Sequence, residues 1–234
     1  MATRELTAHA VAPSVPSLPS APSVRLRLVL IAMLAAAAVV VAATAGWLVR
    51  GGDGVAAAGG VSASSVDAGF ARDMSTHHTQ AVTMAGYERD NTTNPSLKLL
   101  SYDIETSQQF QLGQMSGWLD GWGLSRESSL PRMAWMGGQM HMQSDGLMPG
   151  MATPAQMSKL ITLHGKALDV LFLQLMIHHH QGGLPMAQYA AAHATQPYVQ
   201  VTAQAMISVQ SNEIIEMEQL LRQLGSAPLP PPQG

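Results

Sequence analysis

Two pairs of adjacent histidines, His77-His78 and His179-His180, are each bracketed by methionines: Met74 and Met84 flank the first pair, Met176 and Met186 the second. Imidazole nitrogen with thioether sulfur is a borderline-to-soft ligand set, which favours copper, Cu(I) above all, over Mg, Ca or Mn. Zinc tolerates imidazole but gains little from thioether. A lone histidine on an apolar helix face is ordinarily a hydrogen-bonded core residue. Two adjacent ones, duplicated with their methionines, point instead to metal ligation. A buried imidazole needs partners for both nitrogens, and each one left unpaired costs on the order of 1–3 kcal/mol.

The duplication holds a single offset of 102 residues. Asp67 and Phe70 match Asp169 and Phe172, Pro95 matches Pro197, Gln108 matches Gln210, Gln111 matches Glu213, and Met115 matches Met217. Read as a helix, Met74, His77, His78, Ala81, Met84 and Ala85 share one face, as do Met176, His179, His180, Gly183, Met186 and Ala187. On the partner segments Gln108, Gln111 and Met115 share a face, and so do Gln210, Glu213 and Met217. The inward faces therefore carry His77, His78, Met74, Met84, His179, His180, Met176, Met186 and Glu213 as groups that could ligate a metal.

Asp67 and Asp169 suit orientation of imidazoles, and Asp67 equally suits helix capping. Ala81, Ala85, Gly182, Gly183 and Ala187 are small enough for close helix approach beside the site. His178 has Thr76 as its repeat partner, so its spacing points it elsewhere. His164 and His193 match Ser62 and Asn91 and read as surface or capping residues.

Di-iron and di-manganese bundles need several inward carboxylates. Here Glu213 alone holds a repeated inward position, opposite Gln111. No nucleophile–base arrangement is visible either. The chain reads as a metal binder and not as an enzyme. A metal-dependent oxidase and a non-metal interaction scaffold are the alternatives.

Four helical segments must position these residues. The first runs from about Val66 to Arg89, with Ser64 or Ser65 as N-cap. The second opens at Asn94-Pro95 and ends near Trp122, between Gly121 and Gly123. The third opens at Thr153-Pro154, with Gln156 completing a capping box, carries the second histidine pair and fades near Ala192. The fourth runs from Gln196-Pro197 to Gly225. The expected fold is all-α: duplicated hairpins forming an up-down four-helix bundle over residues 64–225. A connector, 123–153, holds Met133, Met136, Met140, His141, Met142, Met148 and Met151. It is either core filler or a second, softer metal surface. A Pro-rich tail occupies 226–234.

Residues 1–25 are rich in Pro, Ser and Ala and are expected to be disordered. Residues 26–49 carry no charge from Leu28 for about 22 residues, enough for one transmembrane helix. Arg25 and Arg27 before it place the N-terminus in the cytoplasm and the bundle outside. The alternative is secretion after signal cleavage near Ala43-Thr44-Ala45. Residues 50–63 form a linker. The absence of cysteine excludes disulfides and thiolate sites. A net charge of −3 excludes a polybasic surface for nucleic acid.

At the His-His and Met-Ala motifs, at MPGMATPAQM (Met148–Met157) and at the Gln-x-x-Glu-x-x-x-Met run of the last helix, the chain resembles domain-of-unknown-function family 305. This family lies within the ferritin-like bundles, and the resemblance covers roughly Val66 to Leu224. It implies an exported or membrane-anchored protein that binds copper ions. A copper chaperone or exporter is the partner such a binder would be expected to serve, and a homodimer is left open. The resemblance also implies His77, His78, Met84, His179, His180 and Met186 as ligand positions. Two departures affect the site. Gln111 stands where Glu is usual, and Pro185 should kink its helix or remove one backbone hydrogen bond. With imidazole pKa values near 6.5, histidine-based sites are expected to lose copper as pH falls toward about 5.

Overall fold

Three of the helices begin at a side chain that caps them. In the computed structural model, which describes residues 60–232, α1 (Val66–Asn91) is opened by Ser65, whose hydroxyl accepts from the Ala68 N–H. α2 (Pro95–Gly121) is opened by Asn94, whose side-chain oxygen accepts from Ser96 and Leu97, with Pro95 at the first helical position. α3 (Pro154–Leu160) has the expected Thr153/Gln156 capping box. α4 (Gly165–His193) and α5 (Pro197–Gln223) complete the set, and a short 3₁₀ turn spans Ala134–Met136. No strand occurs among the described residues, so the described chain is all-α.

The third expected helix is in fact two. Ile161 caps α3, and the chain turns through Thr162 and Leu163 before restarting at Gly165, whose φ of +56° lies in the left-handed region. Exposed His164 is the N-cap of α4 but makes no capping hydrogen bond. Farther along, α4 continues through Pro185, which has no N–H to give the helix. The tail and apolar run of residues 1–49 lie outside the described residues. Among those described, no helix is long and apolar enough to cross a membrane.

α1 packs on α2 and α4 on α5 as two hairpins, and the hairpins meet through α1 and α4. The apolar interior divides into two clusters. One holds Phe70 and Met74 of α1, Met115 and Leu119 of α2, Met186 and Ala187 of α4, and Val199 and Met206 of α5. The other holds Met84 and Ala85, Leu97 and Ile104, Phe172 and Met176, and Met217 and Leu221 from the same four helices. The 102-residue offset carries these residues of one cluster onto those of the other. It also shows that α1 and α4 run antiparallel: the start of α1 packs with the end of α4.

The connector is docked, not draped. Met133, Trp135, Met136, Met140 and Met148 are buried in the first cluster. Trp135 fits a notch at Gly69, where a Cβ would lie 2.3 Å from its ring. Its indole N–H and the Met133 N–H both donate to Asp73, each at 2.8 Å.

Candidate metal centre

Between the two apolar clusters lies a polar layer. On α1 it is His77 and His78, on α4 His179 and His180, on α2 Gln108, and on α5 Gln210; all six are buried. Helical periodicity explains the layering. Met74 and Ala81 stand one turn to either side of the histidine pair, and each belongs to a different cluster. The His77 and His179 rings lie with centroids 3.8 Å apart, and those of His179 and His180 6.3 Å apart.

All four imidazoles are held by the same nitrogen. Nε2–H of His77 donates to the Pro149 carbonyl at 3.1 Å, and that of His179 to the His77 carbonyl at 3.0 Å. Nε2–H of His78 donates to Gln111 Oε1 at 2.6 Å, and that of His180 to Glu213 Oε2 at 2.8 Å. Because every partner is an oxygen acceptor, the proton sits on Nε2 and the Nδ1 lone pair is left over. The Nδ1 atoms of His77, His78 and His180 are buried without a partner. Gln108 and Gln210 also leave buried amide atoms unpaired in the same layer.

Burial dominates the electrostatics. It pushes His77 down to about 4, with the Pro149 hydrogen bond opposing and His180 adding to the fall. His78 is pushed to about 3 by burial, then by His77. His179 falls well below its ordinary value for the same reasons. These imidazoles are therefore neutral near pH 7, the state in which nitrogen can bind a metal.

The structure gathers His77, His78, His179 and His180 into one layer and splits the methionines. Met74 and Met186 lie in the first cluster, Met84 and Met176 in the second. Glu213 is placed on His180, as the partner that orients it. Among the described residues no group of three or more His, Asp or Glu side chains is arranged to hold a metal ion.

Asp67 and Asp169 reach no imidazole. Asp67 accepts from the Thr195 N–H and hydroxyl and the Gln196 N–H, tying down the turn before α5. Asp169 accepts from the Thr92 hydroxyl at 2.8 Å. Both instead tie a helix to a neighbouring turn, Asp67 to Thr195–Gln196 and Asp169 to Thr92. Gly182 admits the connector and not another helix: a Cβ there would lie 2.0 Å from the Pro149 carbonyl oxygen. Gly183 does face the layer, against Gln210 and His77. His178 is half-buried with Nδ1 3.3 Å from the Gly150 carbonyl, and His193 is exposed against Tyr189. A surface groove of about 580 Å³ lined by Arg72, Arg126, Arg132 and Trp135 touches none of the four histidines. Sequence reasoning missed the Pro149 carbonyl. The paired glycines at Gly150 and Gly182 were the available signal, since they mark a close backbone crossing.

Two helical hairpins, α1–α2 and α4–α5, thus close on a buried layer of imidazoles and amides. The family profile described as "Domain of unknown function (DUF305)" matches residues 67–221, and the chain belongs to that family. A DUF305 protein from Streptomyces coelicolor is 46% identical, with 72% of this chain and 99% of that one covered, at a TM-score of 0.67. A DUF305 fragment from Deinococcus radiodurans is 30% identical, with 68% and 96% covered, at 0.56. CopM in its Cu(II)-bound form is 27% identical, with 68% and 97% covered, at 0.53. In its Cu(I)-bound form it is 25% identical, with 67% and 96% covered, at 0.51. No curated protein matches the chain.

Proposed function

We propose that this protein binds copper outside the cytoplasm, through imidazole nitrogen and thioether sulfur, to sequester it or pass it to a copper chaperone or exporter. The observation that carries the reading is the set of three buried, unpartnered Nδ1 atoms on rings already held by Nε2. Leaving three such groups unpaired would be a heavy cost in a core kept only for packing. A soft cation that bonds to them removes that cost. The solved copper-bound forms of CopM support the choice of metal. Location outside the cytoplasm, by anchor or by secretion, is supported by the apolar run at 26–49 and by the Streptomyces coelicolor relative, which is named as a secreted protein.

The test is titration of the full-length chain with Cu(I), Cu(II) and Zn(II), beside a variant with His77, His78, His179 and His180 all changed to Ala. Tight copper binding that the variant loses supports the reading. Equal binding by both proteins, or none by either, removes it and leaves a helical scaffold.

A further inference from the structure

The repeat makes His78 and His180 equivalent, yet the structure backs them differently. His78 Nε2–H meets a neutral amide oxygen on Gln111, and His180 Nε2–H meets a carboxylate oxygen on Glu213, the same position 102 residues on. The remaining ring nitrogen, Nδ1, is buried and unpartnered in both.

The difference extends beyond one pair. Asp103 of α2 and Glu216 of α5 stand close enough to Glu213 that its charge, after burial, pushes both carboxyls upward; Glu216 also feels Asp103. The repeat-related positions are Ala205 for Asp103, Gln114 for Glu216 and Gln111 for Glu213. Three carboxyl groups, Asp103 from α2 in the first half and Glu213 and Glu216 from α5 in the second, thus gather around Glu213, and the repeat-related positions carry none. Among the described residues no Lys or Arg forms an ion pair with any of the three. The carboxyl cluster meets the Nε2 side of the His180 ring through Glu213, one ring's width from the unpaired Nδ1.

We propose that the two imidazole seats differ in the charge of the copper ion they prefer: Glu213, with Asp103 and Glu216, makes the His180 seat select Cu(II), and Gln111 leaves the His78 seat to Cu(I). The inference rests on the copper reading above. Attraction to a fixed negative charge is twice as large for a dication as for a monocation at the same distance, and the effect is stronger away from water. A carboxylate accepting the Nε2 proton also makes Nδ1 a stronger donor, as in carboxylate–histidine–metal triads. An amide oxygen orients its ring just as firmly but adds no net charge, so the His78 seat lacks that bias.

The experiment compares the full-length wild type with Glu213→Gln, Gln111→Glu and His180→Ala. Each is titrated with Cu(II) alone, followed by electron paramagnetic resonance, and anaerobically with Cu(I) against a competing chelator. Wild type is expected to bind its tightest Cu(II) at one seat, lost in His180→Ala. Glu213→Gln should weaken Cu(II) by ~10–100-fold while Cu(I) affinity stays unchanged, and Gln111→Glu should create a second tight Cu(II) seat. Gln111→Glu fills no new volume beyond its isostere, so it keeps the test informative if Glu213→Gln misfolds. An equal fall in both affinities in Glu213→Gln overturns the proposal, as does no second seat in Gln111→Glu, while copper binding itself stands. Wild type binding neither ion overturns the copper reading and the proposal together.

Discussion

His77 and His179, one residue from each half of the repeat, stack with ring centroids 3.8 Å apart, and the Nε2–H of His179 donates to the backbone carbonyl of His77. Two imidazolium ions could not sit this way in a buried layer. The contact therefore ties the protonation state of the site to the packing of α1 against α4.

Stability of the metal-free protein should consequently fall on both sides of neutrality. Burial lowers His77, His78 and His179, so the unfolded chain takes up protons near pH 6.5 that the folded chain refuses. Their contribution is complete above about 6.5 and is lost as pH falls toward the folded values. Glu88 behaves oppositely. Burial, then Asp169, pushes it up to about 8, so its contribution is complete below its ordinary value of 4.5 and is lost as pH rises through 8. Each unmatched proton changes stability by ~1.4 kcal/mol per pH unit. Three histidines against one glutamate predict a thermal-denaturation maximum near pH 6–7, with the acid side steeper. A flat profile from pH 5 to 9 would contradict it. Glu88→Gln should raise Tm at pH 9 by roughly 2–4 °C, the shift ~1 kcal/mol gives in a domain of this size.

The same burial revises the expected acid release of copper. An ordinary imidazole would surrender metal as pH falls toward about 5. With His77 at about 4 and His78 at about 3, protons compete at these nitrogens only below that. Copper retention measured by dialysis should persist at pH 5 as long as the bundle stays folded. Release between pH 7 and 5 without loss of helical circular dichroism would contradict the assignment.

Glycine substitutions should rank by what the new methyl meets. Gly182→Ala would place Cβ 2.0 Å from the Pro149 oxygen and 2.6 Å from the Gly150 nitrogen, both backbone atoms that must move. We expect a loss of roughly 3 kcal/mol or more and a weakened hold on His77, whose Nε2–H that carbonyl accepts. Gly183→Ala meets Gln210 and His77 side-chain atoms at 3.2 Å, which can give slightly, and should cost about 1 kcal/mol. Urea denaturation of both variants checks the order.

How much of this was legible in the sequence depends on whether the repeat covers it. The helix starts at Ser65, Asn94 and Thr153, the shared faces and the histidine layer follow from local capping chemistry and one offset, and the structure agrees with all of them. The connector has no repeat partner. Its docking rests on Trp135 filling a notch made by the absent side chain of Gly69, 66 residues earlier in the chain, a fit that no periodicity encodes. The break after Leu160 was hidden because Thr162, Leu163 and His164 do not interrupt a helical pattern of apolar residues. Asp67 and Asp169 could not be assigned in sequence because their partners, Thr195 and Gln196 for one and Thr92 for the other, lie in turns far away in the chain.

The methionines supply the sharpest division between packing and ligation. Met74, Met84, Met176 and Met186 are all fully buried, so burial alone cannot separate a ligand from a filler. Leucine nearly conserves methionine's volume, and such swaps in a core usually cost less than about 1.5 kcal/mol. Met74→Leu with Met186→Leu should therefore leave Tm within a few degrees, yet lower Cu(I) affinity by at least about tenfold if a thioether of the first cluster completes a seat. The double variant Met84→Leu with Met176→Leu asks the same of the second cluster. Should both variants keep full Cu(I) affinity, the imidazoles bind alone and the methionines are packing. Should only one pair matter, the thioether is supplied from a single cluster, and the repeat is symmetric in its fold but not in its use.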